Sequence, residues 1–311
     1  MAITLLQEAL MYSVYFAPRG RKRILNLGHQ ISQRYLSPLD KLIGFVGDSG
    51  AGKSVIIKGM FPGLELTNDD DGVNVRPLPL LDGSDTGFFS SHTYHIDVRF
   101  ESAFTQMYIL ADAIKEAVKN GKRVIVEHFE LVYPYLNMNA EIIIGIGEEV
   151  IVTRPSIFGP CPENVANIVH KSIKYRRMAH TAEDLTGYVL EKEFGFEHCE
   201  GHNDVKHGFV LEFDTKPNID IEALEKKTLA LINQNLDICY VDDNHINIGG
   251  QEKFECTGPR IHLKNSGEIE NFQLVKELKY SPMTKLYALI GIVGYGSPTN
   301  VNALNSISYS N

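Results

Sequence analysis

The sequence predicts an α/β domain with a parallel sheet, followed by an α+β domain. Three observations carry this. In the first half, short apolar runs alternate with segments of helical periodicity. A stretch with three prolines and a glycine, RPSIFGPCPE at 154–163, then breaks the pattern. Beyond it, one long helical segment is followed by short strand-like runs. The chain has 311 residues, enough for two cores, since a domain typically holds ~100–200 residues.

Residues 41–46 (KLIGFV) are an apolar run bounded by Gly47 and fit a buried parallel strand. The segment after Gly52 reads as a helix. Residues 101–120 place Phe104, Met107, Tyr108, Ala111, Ile114 and Val118 at helical spacing, and Gly121 ends that helix as a C-cap would. Residues 123–127 (RVIVE) give a second buried strand, and 141–153 one or two more. The boundary at 154–163 divides the chain into 1–160, 161–296 and a Ser- and Asn-rich tail, 297–311. In the second part, 165–194 and 219–235 read as helical, 207–214 as strand, and 236–275 as short strands.

Composition narrows the function classes. With 43% hydrophobic and 22% charged residues, the chain is neither a disordered nor a disulfide-rich type. Lys+Arg number 30 and Asp+Glu 39, a net charge of −9, so a broad basic surface for nucleic acid is not expected. Cys161, Cys199, Cys239 and Cys256 form no CxxC and point to a reduced, cytoplasmic compartment. Cys161 and Cys239 read as packing residues. No apolar stretch approaches the ~20 residues of a membrane helix. The basic cluster Arg19, Arg21, Lys22, Arg23 follows apolar residues instead of preceding them, unlike a secretory signal.

The first chemical pattern is GDSGAGKS, comprising Gly47, Asp48, Ser49, Gly50, Ala51, Gly52, Lys53 and Ser54. It satisfies G-x-x-x-x-G-K-[ST] at every fixed position. Glycines let backbone N–H groups turn toward phosphate oxygens, and the following helix presents its positive end to them. Lys53 would reach the β and γ phosphates and Ser54 would bind Mg²⁺, so the implied ligand is ATP or GTP with Mg²⁺. Glu127 closes RVIVE, where a Walker-B-type carboxylate or general base would sit; the alternative is an acidic residue that merely closes a strand. Asp69, Asp70 and Asp71 read as a solvated loop. His92, His95 and Asp97 are a candidate metal cluster, with His95 and Asp97 on one face of an extended segment, but a surface hairpin is the favoured reading. Residues 40–155 resemble P-loop NTPases of the small-molecule kinase type, with GKRVIVEHFELVYP similar to their second conserved strand. That resemblance implies nucleotide binding and phosphoryl transfer.

The second pattern lies beyond the boundary. His180 and Asp184, four apart on a helix, share a face. With Cys256 and His262 they make a candidate tetrahedral Zn²⁺ set of N, O and S ligands. His198 and His202, flanking Cys199, are candidate acid/base groups or replacement ligands. Taken in order, HTAEDL, HCEGHNDV, FVLEFD and ECTGPRIHLKNSGEI resemble the second additional (editing) domain of alanyl- and threonyl-tRNA synthetases, over about residues 165–280. His180 matches the first histidine of that family's HxxxH, and Asp184 stands where the second should be. Phe213 and Asp214 match its strand end, and Cys256 its cysteine. His262 matches the last histidine by its downstream spacing, giving C-x5-H, whereas Arg260 falls at the ungapped position. The resemblance implies metal-dependent hydrolysis of an aminoacyl ester, with a tRNA acceptor end or an amino-acid-like small molecule as partner. Lys171, Lys174, Arg176 and Arg177 would hold an acceptor end or form a solvated helix face. The alternatives are a kinase whose second domain selects the substrate, or a nucleotide-dependent sensor.

Overall fold

The structure, a computed structural model, describes residues 12–68, 78–196, 201–250, 252–258, 260–296, 301–302 and 304–305; the side chains of Tyr12, His202 and Glu252 lie outside that description. The chain divides into two compact units. One comprises residues up to Ala17 together with Arg21–Ser172. The other comprises Pro18–Gly20 and the residues from Ile173 onward.

The first unit carries a six-stranded sheet. Its strands are β1 (Tyr12–Phe16), β2 (Leu42–Gly47), β3 (Thr93–Asp97), β4 (Arg123–Glu127), β5 (Ile142–Ile146) and β6 (Glu149–Thr153), in the order β1-β6-β5-β2-β4-β3. Strands β3, β4, β2 and β5 run parallel. Strand β6 folds back on β5 as a hairpin, and β1 adds antiparallel to β6. Every residue of β2 and β5 is buried, the reason both read as unbroken apolar runs.

Six helices of this unit are α1 (Arg21–Tyr35), α2 (Lys53–Met60), α3 (Pro79–Thr86), α4 (Val98–Glu101), α5 (Met107–Lys119) and α6 (Phe129–Leu136). Helices α1 and α2 cross at two glycines. A Cβ on Gly59 would lie 2.2 Å from the Leu25 carbonyl oxygen, and one on Gly28 would lie 2.4 Å from that of Ile56. Only hydrogen at both positions permits this backbone approach, and it fixes the helix that begins at Lys53.

Two expectations for this unit are corrected. Residues 93–97 are not a surface hairpin but a parallel edge strand beside β4, and its central residues Tyr94, His95 and Ile96 are buried. The apolar run is interrupted by polar side chains that face the site described below. The helix expected over 101–120 begins only at Met107. Before it, the Asp97 carboxylate accepts from Phe100 N at 3.1 Å and caps the short α4. Phe104 and Tyr108 are therefore exposed, and the buried stripe is Leu110, Ala111, Ala113, Ile114 and Ala117. Gly121 does close the helix, at φ 73°.

Helix α7 (Pro162–Phe194) contributes residues 162–172 to the first unit and 173–194 to the second. The second unit adds α8 (Ile221–Asn233) and two antiparallel sheets. The five-stranded sheet contains β7 (Gly201–Val205), β8 (Gly208–Phe213), β12 (Gln273–Leu274), β13 (Lys279–Ser281) and β14 (Leu286–Ile292). The three-stranded one contains β9 (Ile238–Asp242), β10 (His245–Ile248) and β11 (Glu252–Glu255). Ala182, Leu185 and Val189 of α7 join Phe209, Leu211, Leu224 and Leu289 in one core. The basic run on α7 does not share one solvated face. Lys171 and Lys174 are exposed, but Arg176 is buried and donates to the Pro18 carbonyl at 3.4 Å. Cys239 is exposed, not packed, whereas Cys161 is partly buried and accepts from Tyr133 Oη at 3.8 Å. Among the described residues no helix is long and apolar enough to cross a membrane.

Candidate functional site

The carboxyl ends of β2, β3, β4 and β5 lie along one edge of the sheet. Phe45 and Asp97 both pair with Glu127, and Gly47 pairs with Ile146. In open α/β sheets this edge is where ligands bind. Residues 47–54 leave β2 there and enter α2. Gly47, Gly50 and Gly52 adopt φ values of 147°, 75° and 100°, which side chains on L-residues rarely allow. The glycines of GDSGAGKS thus meet a backbone requirement at each of their three positions.

A polar chain runs beside this loop through four elements. Ser54, in the first turn of α2, donates from Oγ to Glu127 Oε1 at 3.0 Å. Lys53 Nζ lies 3.7 Å from Glu127 Oε2 and donates to the carbonyls of Gly47 (3.2 Å) and Asp48 (2.9 Å). His95 Nε2 lies 3.2 Å from Glu127 Oε1. On the far side of the ring, Thr67 N donates to His95 Nδ1 at 3.1 Å. Because Nδ1 accepts, the ring proton of neutral His95 sits on Nε2 and points at the carboxylate. Lys53, His95 and Glu127 are each at most 4% exposed.

Burial pushes the Glu127 carboxyl up, but the His95 hydrogen bond and the Lys53 charge outweigh it and leave it below its ordinary value. A carboxyl held ionised in this way suits an acceptor that aligns Ser54, rather than a group that trades a proton near neutral pH. Asp48, within the loop, faces His170 of α7 at 3.2 Å.

The second unit gathers three of the four expected ligands. Asp184, Cys256 and His262 place their donor atoms within 4.8 Å of one another. His262 Nε2 is 2.7 Å from Asp184 Oδ2 and 3.7 Å from Cys256 Sγ. His180 stands outside this group, its ring centroid 6.4 Å from that of His262. Arg260 is exposed and stacks on Tyr240 instead, and it is His262 that joins the group. His198 and Cys199 lie outside the described residues. His202 lies in β7, and its side chain is outside the description.

A residue with no place in the expected set completes this cluster. Arg19 is fully buried. Its Nη1 bonds the Glu183 carboxylate, and its Nη2 bonds Asp184 Oδ1. The same Nη2 donates to Cys256 Sγ at 3.1 Å, and Nη1 reaches the His180 carbonyl at 3.5 Å. Burial pushes the Asp184 carboxyl up, but Arg19 and His262 more than reverse this and hold it well below its ordinary range. Burial and the Asp184 charge push the Cys256 thiol up to about 12. A guanidinium therefore bonds two of the three donor residues from inside the cluster. A zinc ion there would meet a fixed positive charge within hydrogen-bond distance of its own ligands, so the residues present do not fit a Zn²⁺ site.

The loop 47–54 with Ser54 and Glu127 does fit a nucleotide phosphate and its Mg²⁺. It offers turned backbone, the Lys53 ammonium, the Ser54 hydroxyl and the Glu127 carboxylate. The sequence does not reveal the roles of three of these residues: His95 reads as part of a candidate metal cluster or surface hairpin, Thr67 carries no signal, and Arg19 reads only as part of a basic run. No family model matches the chain, and no curated protein matches it.

Proposed function

We propose that the chain is a P-loop nucleotide-binding protein that takes a nucleoside triphosphate with Mg²⁺ at residues 47–54 and transfers or hydrolyses its terminal phosphate. One observation carries this reading: the Ser54–Glu127 hydrogen bond, with Lys53 alongside, at the strand-to-helix turn that follows β2. Backbone N–H groups of 47–52 and the α2 N-terminus would receive the phosphate oxygens. Lys53 would exchange its carbonyl partners for the β and γ phosphates. Bound Mg²⁺ neutralises charge on the phosphates. Glu127 fixes the Ser54 hydroxyl on its face of the loop, and His95, oriented by Thr67, fixes Glu127.

The kinase-type reading is preferred to metal-dependent aminoacyl hydrolysis because Arg19 bonds two of the donors a metal would need. The editing-domain resemblance then bears on substrate selection, with an amino-acid-like small molecule as the acceptor class. The test is phosphate release from ATP and GTP by purified full-length protein, alone and with amino acids, compared with Lys53→Ala and Glu127→Gln. Turnover that disappears in both variants supports the proposal. Turnover unchanged in Lys53→Ala contradicts it.

A further inference from the structure

We infer that Arg19 is the resident cation of the Asp184–Cys256–His262 cluster, a guanidinium standing in the place of a metal ion, and that its removal turns the cluster into a metal site. The three donor atoms lie within 4.8 Å of one another, close enough for small shifts to bring them onto one cation with N, O and S ligands. Beside them the structure places a charged group that bonds two of the three. Arg19 Nη2 bonds both Asp184 and Cys256, while Nη1 takes the adjacent Glu183. The remaining Asp184 oxygen goes to His262. Guanidinium suits this role better than ammonium would, because its planar fork reaches two neighbouring carboxylates at once.

The segment that delivers Arg19 is shaped for it. Gly20 turns at φ 84° beside Thr257, and Arg176 donates to the Pro18 carbonyl. A Cβ on Gly258 would lie 3.5 Å from Arg19 Cγ, in ordinary contact, so Gly258 lies against the side chain. Gly258 N also donates to Cys256 Sγ at 3.3 Å, holding the sulfur toward the cluster.

The experiment is a Co²⁺ and Zn²⁺ titration of the full-length wild type, Arg19→Ala and Arg19→Gln, followed by optical spectra and by metal analysis after dialysis. The wild type is expected to show no sulfur-to-cobalt band and to retain no stoichiometric zinc. Arg19→Ala is expected to bind one equivalent with tetrahedral cobalt spectra, and its melting temperature should rise with zinc. The band should vanish on adding Cys256→Ser. Should Arg19→Ala fold only with zinc present, that too supports the proposal. A wild type that retains one zinc, and loses it in Asp184→Asn, overturns it without any Arg19 variant. So does a folded Arg19→Ala, and a folded Arg19→Gln, that take up neither metal.

Discussion

Ser54 and Glu127 are 73 residues apart and meet in a 3.0 Å hydrogen bond at the carboxyl edge of the parallel sheet. Nothing local forces this contact. It arises because β2 and β4 are adjacent and parallel, and because α2 starts within one turn of the loop. The pair converts a glycine-rich turn into a site with a defined acceptor beside a defined hydroxyl.

Lys53→Ala is expected to weaken nucleotide binding by roughly 10- to 100-fold, since hydrogen bonds to charged groups are worth about 1.5–3 kcal/mol. Ser54→Ala should weaken binding only when Mg²⁺ is present. Fluorescent-nucleotide titrations with and without Mg²⁺ separate the two; equal losses in both conditions for Ser54→Ala would count against its role.

His95→Phe removes the proton that Glu127 accepts while filling the same buried volume. Turnover should fall by about 10- to 100-fold, in line with the ~1–3 kcal/mol cost of leaving a buried polar group unsatisfied. KM for nucleotide should hardly move, because His95 acts through Glu127. Steady-state kinetics decide this, and a change confined to KM would contradict it.

Gly59→Ala places a methyl group against the Leu25 carbonyl. Helices α1 and α2 must then separate, at a cost of about 1–3 kcal/mol. Thermal denaturation should report the loss, and the stabilisation gained on adding nucleotide should shrink because α2 carries Lys53 and Ser54.

Arg19→Ala leaves the Glu183 and Asp184 carboxylates without the guanidinium that bonds both, and should destabilise the second unit by about 3–5 kcal/mol. The pH dependence follows from the same charges. Asp184 is held below its unfolded value of ~3.9. Its contribution is therefore complete above that pH and is lost as pH falls through the folded value. Cys256 is raised to about 12. Its contribution is complete below the unfolded value of ~8.5 and is lost as pH rises from there toward 12. Urea melts across pH should show both limbs, with Asp184→Asn flattening the acid one and Cys256→Ser the alkaline one. At pH 8, mass spectrometry should find Cys239 alkylated long before the buried Cys256.

The loop was legible because its chemistry demands glycine at particular places, and Gly47, Gly50 and Gly52 do take positive φ there. Glu127 was legible as the end of a buried apolar strand. His95 was not, because its strand, TYHID, breaks the apolar run with the side chains that serve the site. Asp184, Cys256 and His262 were legible as ligand-type side chains, and the fold brings their donor atoms within 4.8 Å of one another. Arg19 left no trace. Its partners lie 164, 165 and 237 residues downstream, and a charge next to Arg21, Lys22 and Arg23 looks like solvated surface until the fold buries it.

The most direct test of the account is calorimetric titration of folded wild-type protein with ATP and with GTP in Mg²⁺, repeated on Lys53→Ala. Saturable binding of one nucleotide per chain, lost in a folded Lys53→Ala, is the predicted result. Failure of the folded wild type to bind either nucleotide, or equal affinity in Lys53→Ala, would contradict it.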